Sequence, residues 1–204
     1  SHGRCGSAPG KATVDLAKYI AKRKGIVFRG IYGYENPVPR ETALERDKLT
    51  VDTANAIRAA GIPVEIVSAG STDTYEVTGS YPGITEIEPG SFVFGAGPEG
   101  SGYGWNTINH VYFKSSLTVL SQVISDNFAD RVVLDAGLKV LSGGDPDAKP
   151  AVLARKDGEP VLFERAGLSE EHCTLRFREG DPERKSVRRG DKLELTPSHC
   201  CTSE

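Results

Sequence analysis

Gly61-Ile-Pro-Val-Glu-Ile-Val-Ser-Ala-Gly-Ser-Thr-Asp-Thr74 is the stretch that decides the fold. Gly61 closes a helical pattern that runs from Arg40 to Ala60. Val64 to Ala69 is a short apolar run suited to a buried strand, and the chain then enters a small, hydroxyl-rich turn. The same alternation precedes it. Lys11 to Lys24 places Val14, Ala17, Ile20 and Ala21 at helical spacing before Gly25 stops the pattern, and Ile26 to Tyr32 reads as a strand. An α/β/α/β series of this kind implies parallel strands joined by crossover helices, as in a doubly wound sheet or a β/α barrel. Functional residues then gather at strand carboxyl ends, which here are Tyr32 to Asn36 and Ser68 to Thr74.

From about Thr85 the pattern changes to short strands broken by Gly and Pro. They are Thr85 to Ile87, Ser91 to Phe94, Arg131 to Leu134, Ala151 to Leu153, Val161 to Phe163, Thr174 to Phe177 and Lys192 to Leu195. One amphipathic helix is expected from Ser115 to Ser125, with Leu117, Leu120, Val123 and Ile124 on one face. Gly95 to Gly104 is a Gly-rich loop whose composition suggests mobility rather than phosphate binding. The expected organisation is an α/β unit over residues 1–84 and a mostly β domain over 85–204.

Composition narrows the function. With 38% hydrophobic and 26% charged residues the chain is an ordinary globular sequence, and no apolar run approaches the ~18 residues of a membrane helix. A net charge of -3 spread over both halves gives no footprint for nucleic acid or an anionic membrane. Small-molecule chemistry or protein contact remains. Ser1-His-Gly-Arg4 lacks an initiator Met and an apolar run, so it reads as neither a signal peptide nor a natural amino terminus. The absence of Met throughout fits a piece of a longer protein. Four cysteines, at 5, 173, 200 and 201, are too few and too irregular for a disulfide framework, which implies a reducing, cytoplasmic setting. Cys5 and Cys173 are expected to be small buried hydrophobes.

Two segments carry candidate chemistry. In Val67-Ser-Ala-Gly-Ser-Thr-Asp-Thr74, Gly70 admits close backbone approach, and the amides and hydroxyls of Ser71 and Thr72 can donate to phosphate oxygens. Taken alone, a helix cap accounts for such a turn more often than a phosphate does. In Pro197-Ser-His-Cys-Cys-Thr202, His199 and Cys201 project to one side of an extended segment and Cys200 to the other, and imidazole plus thiolate suits zinc. A structural His-Cys-Cys tail is the competing reading. Asp135-Ala-Gly-Leu-Lys139 reads as a strand-turn with a solvated lysine, and Glu170-Glu-His172 as a polar surface loop.

Five segments in order carry a resemblance. His2-Gly-Arg-Cys-Gly6, Val67-Ser-Ala-Gly-Ser-Thr72, Thr85 to Phe94, Leu134 to Ser142 and Pro197 to Thr202 together resemble the D-serine dehydratase and D-threonine aldolase family of fold-type III, alanine-racemase-like pyridoxal-phosphate enzymes. The resemblance implies an α/β plus β fold: the second half of a (β/α)8 barrel followed by a mostly β C-terminal domain. It also implies pyridoxal 5'-phosphate and zinc as cofactors, a small D-amino acid substrate bearing a β-hydroxyl, and a homodimer. Arg4 resembles the residue that binds the cofactor's phenolic oxygen, Tyr34 the ring beside the pyridine, and Gly70, Ser71 and Thr72 the phosphate turn. His199 and Cys201 match a metal pair that is His-x-Cys in dehydratases and His-x-Asp in many aldolases, so dehydration is the expected reaction. Aldol cleavage of D-threonine or 3-hydroxy-D-aspartate, or a non-catalytic relative, are the alternatives. The Schiff-base lysine is expected upstream of Ser1, and a chain without it is expected to be inactive alone. Two departures stand out: Glu35-Asn-Pro-Val-Pro39 replaces a common Gly-His pair, and Asp73 stands where Pro is common.

Overall fold

The computed structural model describes residues 5–34, 38–94, 105–106, 111–113, 115–141, 151–197, 200 and 203. The chain divides into two compact units, the first comprising Ser1–Gly90 with Asn106–Val111 and the second Ser91–Trp105 with Tyr112–Glu204.

The first unit follows the alternating pattern. Its elements are α1 (Lys11–Ala21), β1 (Gly30–Gly33), α2 (Arg40–Ala59), β2 (Ile66–Ala69), α3 (Tyr75–Gly79) and β3 (Glu86–Ile87). The strands form a parallel sheet in the order β1-β2-β3, with Tyr32 opposite Ser68 and Ser68 opposite Glu86. Parallel neighbours cannot be joined by a tight turn, and α2 and α3 are the crossovers that this geometry requires. Ala17, Ala54, Ile57, Val64 and Val67 form the core, with Val14, Phe28, Ile31 and Ile84 packed on it. Ile26 and Val27, which the sequence placed in the first strand, precede it and are exposed.

The second unit is built on a seven-stranded sheet, ordered β10-β11-β7-β6-β12-β8-β9 with antiparallel neighbours. The strands are β6 (Val119–Phe128), β7 (Arg131–Leu134), β8 (Ala151–Lys156), β9 (Glu159–Val161), β10 (Arg165–Leu168), β11 (Cys173–Arg176) and β12 (Lys192–Pro197). A short helix, α4 (Pro182–Ser186), lies between β11 and β12. Two more strands, β4 (Trp105–Asn106) and β5 (Val111–Tyr112), pair with each other. Val132, Leu134, Leu141, Leu175, Leu193 and Leu195 are fully buried in the core.

Three expectations are corrected. The helix expected over Ser115 to Ser125 is the strand β6 instead: Ser121 and Val123 are buried, while Leu120 and Ile124 are exposed at 64% and 42%. That burial has period two, and pairing with β7 and β12 on either side supplies the backbone hydrogen bonds that a helix would have made internally. Ser91–Val93 is one 3-10 turn rather than a strand. Cys173 is buried as expected, whereas Cys5 is exposed, because it lies ahead of the first packed helix. The Gly-rich segment 95–104 falls outside the described residues. No helix among them is long and apolar enough to cross a membrane.

Candidate functional site

The turn that follows β2 is the most polar buried place in the first unit. Ser68, Ser71, Thr72, Asp73, Thr74 and Thr78 are all 7% exposed or less. Gly70 opens the turn at φ 88°, a conformation that costs an L side chain energy, and a Cβ there would sit 3.1 Å from the Thr78 methyl. The chain can therefore reverse under the strand end only with glycine at this point.

Hydroxyl groups hold the reversal. The Ser71 amide donates to Thr74 Oγ1 at 3.1 Å, the Asp73 amide to Ser71 Oγ at 3.3 Å, and the Thr74 amide to the Ser71 carbonyl at 3.2 Å. Thr74 precedes α3 but makes no side-chain cap to it, so the helix-cap explanation of this sequence is not realised. Each of the Ser71 and Thr74 oxygens accepts an amide and keeps its own hydrogen to donate. The Ser71 amide, expected from sequence as a ligand donor, is spent within the turn. Thr78 Oγ1 is buried with no hydrogen-bond partner among the described residues. Ser68 donates to Glu88 Oε1 at 2.6 Å, and the Glu88 amide to the Ala69 carbonyl at 3.3 Å, which ties the end of β3 to that of β2.

Asp73 introduces the one acid of the turn. Burial without a charge partner pushes its carboxyl up from 3.8 to about 6, although the hydrogen bond from its own backbone amide opposes the rise. The sequence showed an acid at this position, but its perturbation depends on burial that only the fold supplies.

Register brings a second predicted residue to the same end. Gly33 of β1 lies opposite Ala69 of β2, so half-buried Tyr34 and Gly70 each leave the sheet at its carboxyl edge. Arg4, His199 and Cys201 lie outside the described residues. Between the last two, Cys200 is 7% exposed. No cluster of three metal-ligating side chains occurs among the described residues.

The remaining sequence candidates are structural. Asp135 accepts from the Gln122 amide at 2.7 Å and Ser121 Oγ at 2.8 Å, and the first of these chiefly holds its carboxyl below the ordinary range. Lys139 is exposed and pairs with Glu171. Gly137 is where the 170–172 backbone crosses, since a Cβ there would meet the His172 amide nitrogen at 2.4 Å.

Parallel β/α elements followed by a large antiparallel β domain define an alanine-racemase-like architecture. D-threonine aldolase from Filomicrobium marinum matches it with TM-score 0.75 and 24% identity, over 98% of this chain and 52% of that one. A variant of D-threo-3-hydroxyaspartate dehydratase matches with TM-score 0.77 and 21% identity, over 100% and 56%. Residues 116–203 match a family model described as a putative serine dehydratase domain, in agreement with the resemblance carried by the five sequence segments. Among curated proteins, D-threonine aldolase of Arthrobacter sp is 29% identical over 97% of this chain and 51% of its own length. The 3-hydroxy-D-aspartate aldolase of Paracoccus denitrificans is 28% identical over 97% and 51%. D-threo-3-hydroxyaspartate dehydratase of Delftia sp. is 28% identical over 84% and 47%. The chain spans about half the length of these relatives.

Proposed function

We propose that this chain carries the phosphate turn and metal pair of a pyridoxal-phosphate- and zinc-dependent lyase acting on D-amino acids with a β-hydroxyl. The carrying observation is the hydroxyl-lined turn of Gly70, Ser71 and Thr72 at the carboxyl end of a parallel strand. A phosphate fits its donors: the Ser71 and Thr74 hydroxyl hydrogens are unspent and Gly70 presents bare backbone. Ser71 and Thr72 would fix the phosphate, Tyr34 would border the ring, and Arg4 would hold the phenolic oxygen. Bound there, the cofactor supplies the electron sink for charge developing at the substrate α-carbon.

Imidazole and thiolate are a donor pair suited to zinc, so His199 and Cys201 would hold the ion, with substrate or water completing its sphere. Its chemistry there is Lewis-acid polarisation of the β-oxygen. Two solved variants of the related D-threo-3-hydroxyaspartate dehydratase replace a histidine and a cysteine two positions apart, the latter in a metal-free form. That spacing is the spacing of His199 and Cys201. It favours elimination of water and ammonia to a 2-oxo acid, the D-serine dehydratase type of reaction. A second reading, aldol cleavage, is favoured by the names of the D-threonine and 3-hydroxy-D-aspartate aldolases. A reduced Cys201 fits a cytoplasmic protein, and pairing into a homodimer is part of the same reading.

The test uses protein from the complete reading frame, supplied with pyridoxal phosphate and zinc. D-Serine, D-threonine and D-threo-3-hydroxyaspartate are offered, and 2-oxo acid, ammonia, glycine and aldehyde are measured. Oxo acid with ammonia supports dehydration, and glycine with aldehyde supports aldol cleavage. Absence of turnover of all three points to a non-catalytic relative and refutes the proposal. Cys201→Ala is expected to lower bound zinc by metal analysis, independently of turnover.

A further inference from the structure

We propose that the outer face of the β10 edge is an oxyanion-binding site, in which Arg165, Arg176 and Thr174 hold a carboxylate or phosphate group. Register places three guanidinium side chains in one row across adjacent strands, Arg131 of β7 opposite Arg176 of β11 and Arg176 opposite Arg165 of β10. Directly opposed residues of antiparallel strands share a face, and like charges so placed destabilise a sheet unless something neutralises them. The buried alternates Val132 and Leu175 point to the core, which sends all three arginines outward.

The chain neutralises only one side of the row. Asp130 accepts from Arg131 at 3.0 Å and from Arg176 at 2.9 Å, and the Arg131 guanidinium also lies 3.6 Å from the centre of the Phe128 ring. Among the described residues the Arg165 guanidinium has no ion pair or hydrogen bond, and neither has the Thr174 hydroxyl. Arg176 keeps guanidinium donors beyond the one given to Asp130.

Two open grooves meet at this pair. One, of about 380 Å³, is lined by Asp130, Glu164, Arg165, Arg176 and Phe177, so its two acids offset its two arginines. The other, of about 290 Å³, is lined by residues 165–169 with Thr174 and Arg176. The second contains both arginines and the Ser169 and Thr174 hydroxyls but no carboxylate. Gly167, opposite Thr174, leaves its floor flat, with open space where a Cβ would be. Two fork-shaped cations beside a free hydroxyl, with no competing acid, are the donor set that a planar carboxylate or a phosphate oxygen group accepts.

The inference rests on neither the cofactor turn nor the metal pair. Its test follows the arginine Nε–H resonances of the chain by NMR, during titration with inorganic phosphate, with malate, and with sodium chloride at matched ionic strength. The expected result is saturable movement of the Arg165 and Arg176 signals with phosphate or malate at millimolar concentration, and little movement with chloride. Stronger response to phosphate assigns a phosphoryl ligand, and stronger response to malate a carboxylate. In Arg165→Gln, an exposed change at a sheet edge, affinity read at Arg176 should fall about fivefold, the scale of losing one exposed charged contact. Equal response to chloride, or undiminished affinity in Arg165→Gln, overturns the proposal.

Discussion

Replacing Asp73 by Asn removes the buried charge while keeping the size of the side chain, and its effect can be worked from the structure. Asp73 is 5% exposed, and burial, by stripping water from its carboxyl, pushes the group up from 3.8 to about 6. At about 1.4 kcal/mol per pH unit, the ionised form costs the fold ~3 kcal/mol. The folded value lies above the unfolded one, so the native state takes up the proton first. The cost is fully present above pH 6, shrinks as pH falls towards 4, and vanishes below the unfolded value. Asp73→Asn should therefore be more stable than the parent at pH 7.5 by up to ~3 kcal/mol, with the difference closing towards pH 4. Urea denaturation followed by circular dichroism from pH 4.5 to 8 measures this directly. The comparison cancels Asp135 and Asp191, whose carboxyls sit below the ordinary range and lose their contribution as pH falls. A difference that does not change with pH, or an Asn variant less stable at pH 7.5, would refute the argument that Asp73 is buried as a charge without a partner.

Two further outcomes follow from side chains outside the turn. Arg184, 6% exposed, donates to the carbonyls of Asp126, Phe128 and Val187, so Arg184→Met should cost about 2–4 kcal/mol in urea denaturation by leaving those carbonyls unmatched. Among the described residues the Lys139 ammonium reaches only Glu171, across an exposed surface, so Lys139→Ala should leave the denaturation midpoint and cofactor binding unmoved; loss of cofactor would place that lysine in the site.

How far the sequence disclosed this molecule depends on whether a signal was local. The long helix α2 and the strand β7 were read close to their observed bounds, because apolar spacing and flanking breakers lie within the segment itself. β6 was misread because Leu120 and Ile124 put apolar residues on its exposed face, and the neighbours that make it a strand come from positions 131–134 and 192–195. β10 went unread, since Arg165-Ala-Gly-Leu168 at a sheet edge has neither alternation nor β-branching. α4 was missed although its signal was present: Asp181 accepts from the Glu183 amide at 2.9 Å and Pro182 occupies the first helical turn. The turn at 70–74 was visible because its residues are contiguous. The titration of Asp73 and the unpartnered hydroxyl of Thr78 were not, because both arise from what folds over them.

Whether Ser71 and its neighbours receive the cofactor's phosphate decides the proposed function most directly. Gly70→Val would be a poor probe, since its positive φ and its contact with Thr78 strain any side chain there. Ser71→Ala is better. The measurement is the ratio of affinities for pyridoxal phosphate and for unphosphorylated pyridoxal, by absorbance titration of protein from the complete reading frame. The parent should prefer the phosphorylated form strongly, and Ser71→Ala should cut that preference about tenfold, the scale of one hydrogen bond to a charged group. An equal ratio in the two proteins would contradict the phosphate turn.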